Sequence, residues 1–366
     1  MHHLPPLNII AGEFALYRPT DMKRLIFNRQ IRPHTGRQAF KYCIEIRNCK
    51  IGNRVPLGTR PVNNPMHRRA KPVIRPSRHI NTNIENTTGG SVWAADNATL
   101  FYTKKNLQTL RSEAVYKHHI NSPEQADQLV YEEVDETYSV YVTSSKSRKY
   151  IFISSQSTNT SEYRFIKSDE PEAEFKIIQP RTRGLEYDVA HFGDHFYLHT
   201  NLNQATNFQI MRTTVDHTTT EFWEPLLQHR KEVLVEDFEL FDQYWVVNER
   251  ENGLSRLRIL RWDQSEDYYL TVEEESYSLY FYYNPDFEST RLRYVFDSLT
   301  TPTSVIEYDM LSQEKTILKT QEVLGRDFDP SQYRSQRLWA NARDGAKIPI
   351  SIVYHKDTRL SESTPV

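Results

Sequence analysis

A repeat of about 50 residues is the feature that most constrains how this chain can fold. Five short apolar runs recur along the 366 residues, and their central residues are 51, 45, 49 and 48 positions apart. Several strands within such a period are typical of a β-propeller, whose blades bury both faces against their neighbours. A β-sandwich with chance spacing is the alternative fold. The five runs are Leu100–Tyr102, Ile151–Ile153, Phe196–Leu198, Trp245–Val247 and Arg293–Val295.

Alternating apolar and polar residues around each run predict three more strands per repeat. The segments that precede four of the runs are 138–145, 187–192, 237–241 and 277–283. The pairs that follow the runs are 115–119 with 128–131, 162–166 with 174–178, 208–212 with 223–227, 257–261 with 267–272, and 304–310 with 315–318. The pattern predicts an all-β fold, a β-propeller of four-stranded blades, with five blades in residues 88–325.

The amino-terminal quarter of the chain differs in composition from the rest. Residues 1–90 contain 16 Lys and Arg against 4 Asp and Glu, whereas residues 91–366 contain 30 against 44, a balance of −14. The formal net charge of −2 hides this asymmetry. Only 5 of the 44 aromatic residues lie in residues 1–90. We therefore predict that residues 1–87 form a divergent, basic, Pro- and Arg-rich segment.

Part of this basic segment can still form strands. We predict that Lys23–Phe27 and Phe40–Arg47 are strands of a decayed blade at 11–51, with a turn at His34–Gly36. Residues 52–84 contain five prolines among arginines, so we expect a long irregular or disordered insertion there. The Arg density leaves a nucleic-acid-binding arm open, but the lack of interleaved aromatic residues favours a degraded replacement for the first blades, and we expect no nucleic-acid partner.

Long stretches between Ile84 and Lys356 resemble the amino-terminal region of oligopeptidase B, a member of the prolyl oligopeptidase family of serine peptidases. The resemblance implies a seven-bladed propeller, incomplete here, that covers the active site of an α/β-hydrolase domain. It also implies an endopeptidase that cleaves short peptides after Arg or Lys. The matching stretches are Ile84–Thr87, Val92-Trp93, Leu100–Thr103, Gln128–Glu133, Ser154–Arg164, Pro180–Val189, Glu249-Arg250 with Gly253-Leu254, Tyr294–Tyr308, Lys319–Gly325 and Tyr333–Ala340.

In that family the catalytic Ser, Asp and His follow the propeller, so the resemblance implies no catalytic residue in this chain. The G-x-S-x-G pentapeptide is absent, and its nearest approaches, Gly89–Trp93 and Gly253–Leu257, lack the second Gly. Residues 326–366 are predicted to be a hinge and the truncated start of the hydrolase domain, with a hairpin of Leu338–Ala342 and Ile348–Tyr354. We expect no peptidase activity from the chain alone, and its substrate-binding residues stay unknown.

Histidines and carboxylates are the remaining candidates for chemistry. His118-His119 and the series His191, His195 and His199 lie on predicted strands and turns, where side chains at i and i+4 stand about 13 Å apart, so we expect no metal or cofactor. The carboxylates are predicted to form solvated rims at strand ends. Alternatively, they attract basic peptides through long-range steering. They are Glu132-Glu133, Glu136 and Glu273–Glu275.

The cysteine content and the hydropathy of the chain indicate in which cellular compartment the protein is located. The two cysteines, Cys43 and Cys49, are too few for a disulfide framework, and neither a membrane span nor a signal peptide is evident. We predict a cytoplasmic protein that meets peptide substrates through a hydrolase domain and has no membrane partner. Besides substrate gating, two roles stay open, namely a free-standing interaction scaffold and a docking half for a separate hydrolase chain.

Overall fold

A computed structural model describes residues 13–16, 22–30, 41–49, 79–324 and 328–361 of the chain. Within these ranges the chain forms six four-stranded antiparallel sheets, one two-stranded hairpin and four short 3-10 helices. In every four-stranded sheet the strands follow one another in sequence order, so each strand pairs with its neighbour in the chain. The 3-10 helices are Glu124–Ala126, Leu202–Gln204, Thr220–Phe222 and Pro330–Gln332.

The first three sheets occupy the amino-terminal half of the described chain. The first contains β1 (Glu13–Leu16), β2 (Met22–Gln30), β3 (Lys41–Cys49) and β4 (His79–Ile84). The second contains β5 (Thr87–Trp93), β6 (Thr99–Lys105), β7 (Ser112–His119) and β8 (Gln128–Glu132). The third contains β9 (Ser139–Ser144), β10 (Tyr150–Gln156), β11 (Ser161–Lys167) and β12 (Lys176–Gln179).

Three more sheets and the hairpin complete the fold. The fourth sheet contains β13 (Tyr187–Phe192), β14 (His195–Thr200), β15 (Gln209–Thr214) and β16 (Glu224–Leu227). The fifth contains β17 (Val233–Leu240), β18 (Tyr244–Glu251), β19 (Leu254–Arg261) and β20 (Asp267–Tyr269). The sixth contains β21 (Tyr277–Phe281), β22 (Arg291–Ser298), β23 (Ser304–Asp309) and β24 (Lys315–Thr320). The hairpin contains β25 (Tyr333–Asn341) and β26 (Lys347–His355).

Each of the five apolar runs lies on the second strand of its sheet, as predicted. These strands are among the most buried elements, and β10 and β14 are buried along almost their whole length. A strand that is covered on both faces requires a continuous apolar sequence rather than an alternating one. The third strand of the fifth sheet, β19, alternates between buried and partly exposed residues instead. The five predicted blades are therefore five four-stranded sheets.

The predicted decayed blade at 11–51 is a full four-stranded sheet that extends to residue 84. Its fourth strand, β4, lies within the range 52–84, where we predicted an irregular insertion, and it pairs with β3 through Ile44 opposite Ile84. The strand can form because the last proline of that range, Pro76, precedes it. The predicted turn at His34–Gly36 and residues 50–78 lie outside the described residues.

The described chain divides into two compact units. One comprises the described residues up to 144 together with 151–158 and 164–176, and the other comprises residues 145–150, 159–163 and the described residues from 177 onward. In the first, Phe101, Val115 and Ile151 belong to one buried cluster. In the second, the Trp262 ring stacks on Phe192 with centroids 4.7 Å apart. Aromatic and aliphatic side chains between consecutive sheets thus form the core of each unit.

The last strand of the sixth sheet is unusual in its exposure. All six residues of β24 are exposed, and a register shift interrupts its pairing with β23 beside Val305. The strand ends the sheet on that side, so its outer backbone groups have no partner strand within the described residues. In the same described ranges, no helix has the length and apolar character needed to cross a membrane.

Candidate functional site

The carboxyl-terminal hairpin has one apolar face. Because residues two positions apart on a strand share a face, Leu338 and Ala340 lie beside their partners Ile350 and Ile348. Leu338, Ile348 and Ile350 are 46%, 47% and 41% exposed. None of these three side chains is buried by the described part of the chain. A contiguous exposed group of large aliphatic side chains marks an interaction surface.

The opposite face of the hairpin carries Arg337 and Ser351 beside Trp339 and Pro349, and its hydrogen bonds reach the fifth sheet and the segment that follows it. The backbone N–H of Arg337 donates to Glu275 Oε2 at 3.1 Å, and its guanidinium Nη2 donates to the carbonyl of Asn252. Ser276 Oγ donates to Ser351 Oγ. We call these three contacts the hairpin clamp. They position the hairpin so that its apolar face points away from the sheet.

The first strands of the fourth and fifth sheets carry carboxylates. Asp188 lies on β13 and is exposed, while Asp237 and Glu239 lie on β17. Loss of hydration raises the pKa of Asp237, and the neighbouring charge of Asp188 raises it further. Burial also raises the pKa of Glu239. Because these carboxylates lie close together, each additional negative charge among them is unfavourable. A nearby cation would stabilise their charged forms.

One cation already occupies part of this region. Lys146 Nζ lies 2.8 Å from Glu239 Oε1 and 3.6 Å from the centroid of the Phe241 ring. Burial lowers the pKa of Lys146, while Glu239 opposes that change. Glu239 is thus paired with Lys146. Asp188 is 61% exposed, accepts a hydrogen bond from the Tyr163 hydroxyl at 2.6 Å and lies 3.8 Å from His199 Nδ1.

The carboxylates predicted as solvated rims divide into two groups. Glu132 and Glu136 are exposed as predicted, but the prediction is wrong for Glu133, which is only 3% exposed. Its Oε2 accepts hydrogen bonds from Tyr131 at 2.7 Å and Ser155 at 2.5 Å. A buried carboxylate needs such donors to replace water. Ser155 lies 22 positions along the chain, on another sheet, so local sequence carries no signal of this contact.

The second predicted carboxylate run lies between the fifth and sixth sheets. Glu273 and Glu275 are exposed, and Glu275 belongs to the hairpin clamp. Glu274 accepts hydrogen bonds from Thr300 at 3.1 Å and Thr301 at 2.6 Å. The run therefore anchors neighbouring segments instead of forming only a solvated rim, a role that its sequence did not predict.

The histidines singled out by sequence do not converge. His118 lies 2.6 Å from Asp127, and His191 lies 2.7 Å from Ser147. His199 lies 2.8 Å from the Val235 carbonyl. His195 lies on β14 and has a ring contact with Tyr197. In the described part of the chain, no group of three or more His, Cys, Asp or Glu side chains is arranged to hold a metal ion.

The two serines that most nearly match a nucleophile motif lie in strands. Ser91 is on β5, and Ser255 is on β19, where its Oγ lies 3.5 Å from Glu236 Oε2. A serine nucleophile of the α/β-hydrolase type needs a sharp turn between a strand and a helix. Neither serine is in that setting, so the structure brings no catalytic constellation around them.

Comparison with known families identifies the fold. Residues 43–321 match the family model described as the prolyl oligopeptidase, N-terminal beta-propeller domain. The chain belongs to this family. The predicted all-β propeller of four-stranded blades is therefore confirmed, as is the resemblance to the prolyl oligopeptidases. The match begins at residue 43, within the segment that we predicted to be divergent.

Relatives of known name support the same family. Dipeptidyl aminopeptidase BI of Pseudoxanthomonas mexicana is 39% identical over 284 residues, which cover 77% of this chain and 39% of that protein. Protease 2 of Moraxella lacunata is 27% identical over 266 residues, which cover 73% of this chain and 38% of that protein. The chain thus aligns with well under half the length of these two relatives.

Solved structures support the propeller fold. Oligopeptidase B from Leishmania major superposes with a TM-score of 0.77 at 24% identity, over 97% of this chain and 46% of that chain. Oligopeptidase B from Trypanosoma brucei, in a closed form with covalently bound antipain, superposes with a TM-score of 0.74 at 21% identity, over 96% of this chain and 54% of that chain.

Proposed function

We propose that this chain is the substrate-gating propeller of an oligopeptidase B-like serine endopeptidase that cleaves short peptides after Arg or Lys. The observation that carries the proposal is the hairpin that follows a propeller of the peptidase family and leaves an aliphatic face uncovered. In this proposal an α/β-hydrolase domain packs on that face. The propeller then covers the active site and admits peptides that are small enough to enter.

The chemistry of the hairpin fits a hydrolase partner. Its two strands have unpaired outer edges within the described residues, and the apolar face offers Leu338, Ile348 and Ile350. A sheet buried inside an α/β protein needs aliphatic side chains on its faces and a partner at its edges. The hairpin meets both requirements when it joins a larger sheet.

The charge of the chain supports basic peptides as substrates. Residues 91–366 have a charge balance of −14, and the first strands present Asp188 and Asp237. In a propeller the first strands surround a central channel. Carboxylates there raise the local concentration of cationic peptides and increase their association rate.

The name of one relative supports a second candidate function, which is also a peptidase activity. The relative that is 39% identical is named a dipeptidyl aminopeptidase, so release of dipeptides from peptide amino termini is the alternative to internal cleavage. Product analysis separates the two. An endopeptidase cuts a reporter peptide after an internal Arg, whereas a dipeptidyl aminopeptidase releases its first two residues and is blocked by amino-terminal acetylation.

The test of gating combines this chain with a hydrolase domain. The full chain is mixed with the hydrolase portion of the Pseudoxanthomonas mexicana relative, and a fusion of the two serves if that portion does not fold alone. We expect a complex that cleaves a short Arg-containing peptide but spares a folded protein carrying the same sequence in a loop. No complex, or equal cleavage of both substrates, would contradict gating and favour a free-standing scaffold.

A cytoplasmic location is part of the proposal. It is supported by the cysteine content, because two cysteines are too few for the disulfide framework of a secreted protein. Fractionation of cells followed by detection of the chain tests it. Recovery in a secreted or periplasmic fraction would contradict it.

A further inference from the structure

The hairpin clamp holds β25 and β26 on the fifth sheet and the segment after it through three hydrogen bonds. Arg337 reaches the carbonyl of Asn252 in the turn between β18 and β19, and its own N–H reaches Glu275. Gly253 occupies the same turn with a φ of 75°. A Cβ atom at Gly253 would lie only 2.8 Å from Arg337 Nη2 and 3.6 Å from Pro349 Cγ. An added Cβ would therefore displace the end of the Arg337 side chain from its place beside Asn252.

The clamp is weakly stabilised. No hydrophobic residue of the hairpin is buried, and both Arg337 Nε and Ser335 Oγ are enclosed without a hydrogen-bond partner among the described residues. Enclosed polar atoms that lack partners offset much of the gain from the bonds that do form. On the other face, Leu338, Ile348 and Ile350 are exposed and can be buried by a partner, which adds a hydrophobic contribution that the hydrogen bonds of the clamp lack.

We propose that the hairpin is a releasable latch. In this proposal, which rests on the proposed function, the apolar face stays with the hydrolase partner. The face that carries Arg337 and Ser351 detaches from Asn252, Glu275 and Ser276 when the propeller and the hydrolase domain separate. Gly253 and Arg337 are then positioning residues that set how readily the latch releases. They touch neither substrate nor any reacting group.

The first test uses this chain alone and measures hydrogen exchange in residues 333–355. Gly253→Ala should accelerate exchange of the hairpin by about tenfold, the factor expected from loss of a hydrogen bond to a charged group. Gly193→Ala is the matched control, since Gly193 also has a positive φ, of 60°, but has no atom near the added Cβ. The control should leave exchange of the hairpin unchanged.

A double-mutant cycle sharpens this test. Arg337→Ala should accelerate hairpin exchange as Gly253→Ala does, and the two together should add little, because both remove the same contact. Equal hairpin exchange in wild type, Gly253→Ala and Arg337→Ala would overturn the latch. Hairpin amides that exchange at unprotected rates in the wild type would overturn it as well.

The second test measures release within the complex with the hydrolase domain. Gly253→Ala should increase cleavage of the folded protein substrate at least severalfold relative to Gly193→Ala, with cleavage of the short peptide unchanged. No difference between these variants would overturn the latch even if the complex forms and gates. Failure of the complex to form would instead reject the proposed function, and the exchange data on the chain alone would remain interpretable.

Discussion

At the scale of single residues, the buried carboxylate of Glu133 is the clearest case of a charge that the fold has to satisfy. Its oxygens accept hydrogen bonds from Tyr131, Ser155 and the backbone of Asp135. Glu133→Ala should lower the free energy of unfolding by about 2–3 kcal/mol, because several donors lose a charged acceptor. Urea denaturation measures the change, and Glu132→Ala, at the exposed neighbour, should have little effect.

His191 should make the stability of the chain depend on pH. Burial, with the nearby charge of Lys149, lowers the pKa of His191 to about 4 from an ordinary value of 6.5. A lowered pKa in the folded state means that its neutral form is favoured by folding. Stability from this group is fully present above pH 6.5 and declines as the pH falls toward 4, by up to about 3 kcal/mol.

The measurement is the free energy of unfolding at a series of pH values for wild type and His191→Phe. Since Phe does not titrate, the difference between the two proteins should change between pH 6.5 and 4. A constant difference across that range would show that the pKa of His191 does not change on folding. His195→Phe tests whether the effect belongs to His191.

At the scale of elements, the apolar face of the hairpin predicts a separation between stability and binding. Ile350→Asp should change the free energy of unfolding by less than about 0.5 kcal/mol, because the side chain is exposed in the chain alone. It should abolish complex formation with the hydrolase domain, since a carboxylate would be buried without a partner. Leu311→Asp, at another exposed aliphatic residue, should alter neither property, and loss of binding there would contradict the assignment.

Strand positions could be predicted from sequence because alternation and apolar runs report local burial. The predicted strand at 187–192 has the same bounds in the structure. The predicted carboxyl-terminal hairpin also forms, but its first strand begins at Tyr333 instead of Leu338. The hairpin clamp could not be predicted, because Arg337 and Asn252 are 85 positions apart and meet only after two elements have packed. Strand β4 was missed because the prolines before it dominated the local pattern.

At the scale of the whole molecule, the charge asymmetry predicts salt-dependent association with basic peptides. A peptide with several Arg residues should associate more slowly as ionic strength rises from about 0.01 to 0.15 M, where the screening length falls from about 30 to 8 Å. Stopped-flow fluorescence measures the rate. A peptide with Gln in place of each Arg is the control, and an identical salt response from it would exclude steering by the negative charge.

The exposed outer strand β24 has a consequence for solubility. Its aliphatic residues Ile317 and Leu318 lie between Lys315 and Lys319 on an edge that could pair with a strand from another copy of the chain. The two lysines and the register shift oppose such pairing through charge repulsion and irregular spacing. Replacing Lys319 with Val should therefore promote aggregation, detectable by light scattering at concentrations where the Lys319→Arg protein stays clear.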